Sequence, residues 1–447
     1  MSKSPSSNWH RTVDASFEAL RAVTLLPGRY AQPGLRRARV GTVVIASLED
    51  PVGELPLSQR LRDARRVVIV LPPPSEPVST DLVEAVWAHI DAWMPENALV
   101  QVLVARGSTD LPDVSSAMEC PHVAVLVRAG IPVFVHDENQ CVESANGMVA
   151  APGVPLVADR RLHDADLTVC LSRVSLRPDS GVRSPSELIA RGCTGEATRL
   201  CIERLASTVR AGDCIGRPED SAVTRLQNLV CRRIGNVFAV VEAAGPDSIA
   251  HVSGNPEDVM RLLLSRHDAS LFVGMSPHSG AILVADDLVG DVASASVDAV
   301  LLALQQRPPL LAHAPLLLVL PAGCERWADA ATEPAFLHGL RAPMTRRPAT
   351  SSSDFVGRRV SEMLSRSASA HPLFIAAENV PEESDIPGVS VFQSLTSALN
   401  AFRRAADQVE DDHADPNGVL LLQGAQYQLP QLGQETFLLG TTQRVVE

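Results

Sequence analysis

Residues 66–105 read RVVIVLPPPSEPVSTDLVEAVWAHIDAWMPENALVQVLVA. The two apolar runs, Val67–Leu71 and Val100–Val104, are continuous rather than alternating, as expected of strands covered on both faces. Between them Leu82, Val83, Val86 and Ile90 share one stripe of a helix over 81–93, with Thr80 or Asp81 as its cap. Strand, helix and strand in succession point to an α/β fold.

The alternation continues outward. Strand-like runs recur at Val123–Val127, Val133–Val135, Leu167–Leu171, Val237–Val241, Leu271–Val273, Leu316–Leu320, Leu373–Ala376, Val389–Phe392 and Val419–Leu422. Helical stretches separate them at Ser186–Ala190, Glu196–Arg210, Ala222–Arg233, Ser296–Gln306, Phe355–Ser365 and Ser394–Val409. The fold class is α/β with mainly parallel sheets. At 447 residues, 45% of them apolar, the chain exceeds a single core, which rarely grows beyond about 250–300 residues. We expect one α/β domain over 10–264, open to completion by 410–447, and a second over 265–409. The cleft between them is the default ligand site. Polar segments at 1–7, 341–354 and 408–418 read as exposed loops or linkers.

The charge balance is 39 basic against 52 acidic residues, or −13, and Lys3 is the only lysine. Such a surface repels phosphate backbones, so no nucleic-acid partner is expected. No apolar run approaches the roughly 20 residues of a membrane span, so no membrane partner is expected. The first ten residues lack the order of a signal peptide, which makes the cytoplasm the expected compartment. The 8 cysteines include no C-x-x-C and read as small buried hydrophobes.

The usual chemical motifs are missing. There is no G-x-G-x-x-G and no P-loop, and Gly192-Cys193-Thr194-Gly195 reads as a turn. Ser276-Pro277-His278-Ser279-Gly280 follows a strand, where α/β proteins place ligands, but lacks the spacing of a nucleophile elbow. No histidine pairing has metal-ligand spacing, so no metal is expected. His136-Asp137, His163-Asp164 and His267-Asp268 are adjacent pairs, and neighbours in a strand point to opposite faces. His136 is the best placed, because it ends Val133–Val135. The cluster Asp411, Asp412, His413 and Asp415 reads as a solvated acidic loop.

Several stretches, in order, resemble the lactate racemase family, two-domain α/β proteins that use a nickel-pincer nucleotide to racemise or epimerise 2-hydroxy acids. Leu48-Glu49-Asp50-Pro51-Val52-Gly53 is similar to the family's Leu-x-x-Pro-Ile-Gly. Arg66–Val70 with Pro77-Val78-Ser79-Thr80 resembles the strand and loop that carry Asp-His-Thr-Arg-Pro-Val-Pro. Val102-Leu103-Val104-Ala105-Arg106-Gly107 resembles the strand ending Ala-Thr-Gly-x-His-Arg-Pro. The order continues through Ala165-Asp166-Leu167, Ser180-Gly181 and Gly254-Asn255-Pro256-Glu257-Asp258. The resemblance covers about residues 40–270.

What the resemblance implies about chemistry does not carry over. Pro73, Pro74 and Glu76 stand where the family has its acid, imidazole and guanidinium, and Thr109, followed by Asp110, replaces the next histidine. Arg173–Pro178 holds no histidine where a second acid/base is implied. Ser180-Gly181-Val182-Arg183-Ser184 has no lysine for the cofactor tether, and Cys214–Ser221 has no histidine for nickel. Racemisation beside a carboxylate needs a proton acceptor on each face or a hydride sink flanked by bases. Glu76 in place of a substrate-clamping arginine reverses the charge offered to a carboxylate.

We therefore expect a diverged, lactate-racemase-like protein without nickel-pincer racemase activity or cofactor, acting as a binding, regulatory or scaffold protein. The alternative is an active racemase, epimerase or other enzyme on this scaffold, using an untethered nickel-pincer nucleotide or none on a different small molecule. No catalytic residue is assigned. The expected cleft lining is Glu76, Arg106, Asp110, His136, Arg173, Arg177, Arg183, Ser276 and His278, all after strand ends. The arginines either form a basic mouth for a small anion or pair with Glu76, Asp110 and Asp179. A protein partner or a second copy of the chain is the other expected contact.

Overall fold

The computed structural model describes residues 23–26, 37–74, 78–106, 114–143, 149–174, 176–177, 180–209, 221–244, 249–275, 280–284, 313–319, 352–377, 384–409, 419–423 and 429–432. Strand β1 (Val23–Leu26) and helices α1 (Arg37–Glu49) and α2 (Leu57–Asp63) come first. The deciding stretch then folds as β2 (Arg66–Leu71), α3 (Thr80–Trp93) and β3 (Leu99–Val104). β2 and β3 pair in parallel, with Ile69 opposite Val102. Ser79, rather than Thr80 or Asp81, caps α3, its hydroxyl accepting from Leu82 N at 3.3 Å.

Helix α4 (Pro121–Arg128) takes the run expected as a strand at Val123–Val127. Pro121 in its first turn is pre-set for a helix start, and so short an apolar run carries no period to separate the two states. There follow β4 (Val133–Val135), β5 (Leu167–Arg173), α5 (Pro185–Gly192), α6 (Glu196–Ala206), α7 (Ala222–Ile234), β6 (Val237–Ala244), β7 (Ile249–Gly254) and α8 (Pro256–Leu271). Six of these strands form one sheet in the order β7-β6-β5-β2-β3-β4. All pairs are parallel except β6 with β7. The chain winds outward from β2 to β4, crosses back to β5, and winds outward the other way. The direction reverses between β2 and β5, the position at which open α/β sheets bind ligands beyond their carboxyl ends.

The continuous apolar runs bury both faces of this sheet. Val67, Ile69 and Leu71 pack with Leu48, Leu61, Leu82 and Ile90 on one side. Val68 and Val70 pack with Leu188, Ile189 and Cys231 on the other. Each strand residue thus removes apolar surface from water whichever way it points, worth about 1.5–3 kcal/mol for each large side chain.

Two of the family-like stretches meet beside this sheet. Val52 N donates to Ser253 O at 2.8 Å, and Asn255 N donates to Val52 O at 2.8 Å. Gly254 has φ +133°, and a Cβ there would stand 2.2 Å from Val52 O. The contact needs glycine on both steric and conformational grounds. These stretches are a structural clasp that ties the segment after α1 to the edge strand.

A second sheet contains β1, β8 (Gly280–Val284), β9 (Leu316–Val319), β10 (Leu373–Ala376), β11 (Val389–Phe392) and β12 (Val419–Gln423). Its order is β1-β12-β8-β9-β10-β11, parallel throughout. The sequence left β12 open to complete the first unit; it lies instead between β1 and β8, where an all-apolar run such as Val419–Leu422 suits an interior strand. Helices α9 (Ser352–Ala370) and α10 (Leu395–Ala406) belong to this part of the chain, and Leu395, Leu399 and Phe402 pack on Ile282, Leu317 and Val319. α9 also touches α6 of the first unit. The helix expected at Ser296–Gln306 and the acidic cluster at 411–415 lie outside the described residues. No helix among the described residues is long and apolar enough to cross a membrane.

Candidate functional site

The reversal between β2 and β5 directs attention to the segments that follow them. Arg173 ends β5, and the parallel register sets it beside Glu242 of β6, which pairs in turn with His251 of β7. The three side chains form one row across three strands. Arg173 Nε stands 3.2 Å from Glu242 Oε1, and His251 Nε2 stands 3.7 Å from Glu242 Oε2. Ser79, at the N-terminus of α3, donates its hydroxyl hydrogen to Glu242 Oε2. Burial pushes the Glu242 carboxyl up, but His251, Arg173 and Ser79 outweigh burial and hold it below the usual carboxylate range. The carboxylate is fully buried and ionised.

A second group follows β5. Arg177 Nε lies 2.8 Å from Glu187 Oε1, and Ser180 Oγ donates to Glu187 Oε2 at 3.0 Å. Arg191 bridges Glu187 and Glu203, at 3.5 and 3.1 Å. Arg183 is also buried, and Ser184 caps α5 by accepting from Glu187 N at 3.1 Å. On α7, Thr224 donates to Ser180 O at 2.9 Å.

At the end of β3, Arg106 pairs with Glu138, which also holds Arg199; Arg199 reaches Glu196 as well. Burial and the neighbouring Arg199 push the Arg106 guanidinium down against the pull of Glu138, but an arginine remains cationic at neutral pH.

His136 follows β4 and does not engage its neighbour Asp137. Its Nδ1 lies 3.2 Å from Asp159 Oδ2 and its Nε2 lies 3.2 Å from Thr194 O. Both ring nitrogens thus face acceptors of the chain itself, a carboxylate and a backbone carbonyl. Burial pushes the Asp159 carboxyl up, yet hydrogen bonds from His136 and Arg161 hold it below the usual range. Cys141 Sγ stands 4.0 Å from His136 Nε2, but burial and Asp159 push this thiol up to about 12. A thiol held protonated is no nucleophile.

Of the expected lining, Arg106 and His136 follow β3 and β4, Arg173 ends β5, and Arg177 and Arg183 lie in the segment between β5 and α5. Glu76, Asp110, Asp179, Ser276 and His278 lie outside the described residues. Arg106, Arg173 and Arg177 pair with Glu138, Glu242 and Glu187, none of which was singled out in the sequence. Glu242 had a visible signal: it is the lone charge in the apolar run Val237–Ala244. Among the described residues no three His, Cys, Asp or Glu side chains are grouped as a metal site requires.

Comparison with known proteins assigns this architecture. The chain is similar to the lactate racemase apoprotein from Thermoanaerobacterium thermosaccharolyticum, with a TM-score of 0.67 over 88% of this chain and 93% of that one, at 13% identity. The fold is that of lactate racemase. A structural-genomics protein from Thermotoga maritima shares it at a TM-score of 0.59 and 10% identity, covering 91% of this chain and 100% of that one. No protein-family model and no curated protein sequence matches the chain. At such identity the likeness concerns the lactate-racemase-like scaffold alone.

A tethered nickel-pincer nucleotide does not fit the residues present. The position implied for the tether falls at Arg183-Ser184, where the arginine is buried and the serine is spent as a helix cap. Neither side chain can form a thioamide link, which needs an amine nucleophile.

Proposed function

We propose that this protein is a lactate-racemase-like scaffold that has given up nickel-pincer racemase chemistry and acts by binding, as a regulatory or scaffold protein. The observation that carries this reading is the row Arg173–Glu242–His251 at the winding reversal. The resemblance implies an acid/base histidine just beyond β5; here that strand ends in a guanidinium salt-bridged to a buried carboxylate. Arginine holds its proton at any working pH and cannot alternate between acid and base. His136, the other imidazole near the strand ends, is held through both nitrogens by acceptors. Arg106 and Arg177 are likewise engaged by the chain's own carboxylates, Glu138 and Glu187, which supports binding rather than proton transfer.

The test is the covalent state of the protein. Produced together with the enzymes that make the nickel-pincer nucleotide, it should show its sequence mass, apart from N-terminal processing, and no bound nickel. An adduct of several hundred daltons mapping to residues 175–195 would overturn the reading.

A further inference from the structure

Helix α1 (Arg37–Glu49) has a face that no described residue covers. Val40, Val44 and Leu48 turn inward, toward α3 and the edge strand β7, and are buried. The opposite face holds Thr42, Val43, Ile45 and Ala46, all exposed, with Val43 at 47% and Ile45 at 42%. From Val40 to Leu48 the sequence contains no charged residue. A surface helix ordinarily turns a charged or polar face to water, and a helix that is apolar all round is one covered on both sides.

The charges at its ends indicate what covers it. Arg37 and Arg39 stand in the first turn, which has no acidic residue, and Glu49 in the last, which has no basic one; Asp50 follows, exposed. A helix is positive at its N-terminus and negative at its C-terminus, so each end carries the sign of charge that its own dipole disfavours. A second α1 laid antiparallel across the first brings the acidic end of each to the basic end of the other and relieves both. Helical spacing supports this arrangement, because Arg39, Thr42, Ala46 and Glu49 follow at steps of three, four and three and share the outward face. The pattern is symmetric about position 44. On a two-fold axis there, Thr42 meets Ala46, Val43 meets Ile45, and Arg39 meets Glu49 and Asp50 of the other copy. Glu49 is also held by His89 and Ser58 of its own chain, which makes the exposed Asp50 the better partner for Arg39.

We propose that the outward face of α1 is the contact between two copies of this chain, packed antiparallel about a two-fold axis near Val44. The assignment does not depend on the loss of racemase chemistry. At 13 residues the helix is about 20 Å long, less than a full-sized interface requires, so the dimer is reversible, with a dissociation constant on the order of 10 µM.

The test is sedimentation velocity of the full-length protein at about 1 µM and about 100 µM, in about 0.15 M salt, where the net charge of −13 is screened beyond about 8 Å. The parent should pass from monomer to dimer over that range. Ile45→Glu, at an exposed position, should keep the parent's melting temperature and raise the dissociation constant at least about tenfold. Arg39→Glu and Asp50→Arg should each weaken the dimer, because like charges then meet at both ends of the contact. Mixed in equal amounts, these two variants should associate as tightly as the parent, since each then meets the opposite charge on the other. A parent that stays monomeric at about 100 µM would overturn the proposal, and so would a dimer that Ile45→Glu leaves unchanged. If Ile45→Glu does not fold, the charge variants decide alone. A mixture that associates no better than either variant by itself would refute the antiparallel contact.

Discussion

Acid should weaken this fold through one buried imidazole. His122, in the first turn of α4, is wholly buried. Its Nε2–H donates to Pro72 O at 3.2 Å, and Nδ1 accepts from the Cys120 thiol at 3.0 Å. It therefore pins α4 to the segment leaving β2, close to the winding reversal. Burial pushes its pKa down from 6.5 to about 4, against a smaller upward pull from the Pro72 carbonyl. The sign follows from linkage. Above 6.5 the ring is neutral in both states and costs nothing. Between 6.5 and about 4 the unfolded chain takes up the proton first, so stability falls as pH falls. Below about 4 the loss levels off. At about pH 5 the loss from this group is about 2 kcal/mol, a large share of the ~5–15 kcal/mol that holds a typical domain. Urea unfolding of the parent and His122→Gln, each at about pH 8 and pH 5, isolates it, since the other titrating groups are common to both proteins. The parent should lose about 2 kcal/mol more than the variant over that interval. Equal losses in the two proteins would refute the assignment of a buried neutral ring.

Two further substitutions test the packing around the site. Gly254→Ala forces a Cβ against Val52 O at a φ of +133°, and should cost about 3 kcal/mol or more by chemical denaturation; a loss under about 1 kcal/mol would contradict the close approach. Glu187→Gln takes from Arg177 and Arg191 the carboxylate they share, and should cost about 3–5 kcal/mol because both guanidinium groups are buried. A near-neutral result in the same assay would show that this ion pair does not hold α5 in place.

The parts of the fold legible in the sequence are those with a strong local pattern. Val67–Leu71 and Val100–Val104 announce buried strands because both faces are apolar, and Leu82, Val86 and Ile90 announce α3 by their spacing. Helix α1 was not anticipated. Its buried stripe of Val40, Val44 and Leu48 supplies one apolar residue per turn, too narrow to stand out. The site was legible only in part. Arg106, Arg173 and Arg177 could be named because they follow strands, but their partners are fixed by strand order and register, which no local pattern encodes. Ser79 and Glu242 are 163 residues apart in the chain, and only the adjacency of β2, β5 and β6 brings them together. The family-like stretches at 48–53 and 254–258 turned out to meet each other, which gives them a structural role that does not require the family's chemistry.

That separation of scaffold from chemistry is tested most directly by racemisation. The protein, produced with the enzymes that make the nickel-pincer nucleotide, is given D-lactate or L-lactate, and the opposite enantiomer is followed by chiral chromatography. With Arg173 bound to Glu242 and His136 held through both ring nitrogens, no interconversion above the uncatalysed rate is predicted. Turnover of about 1 s⁻¹ or faster would contradict the account.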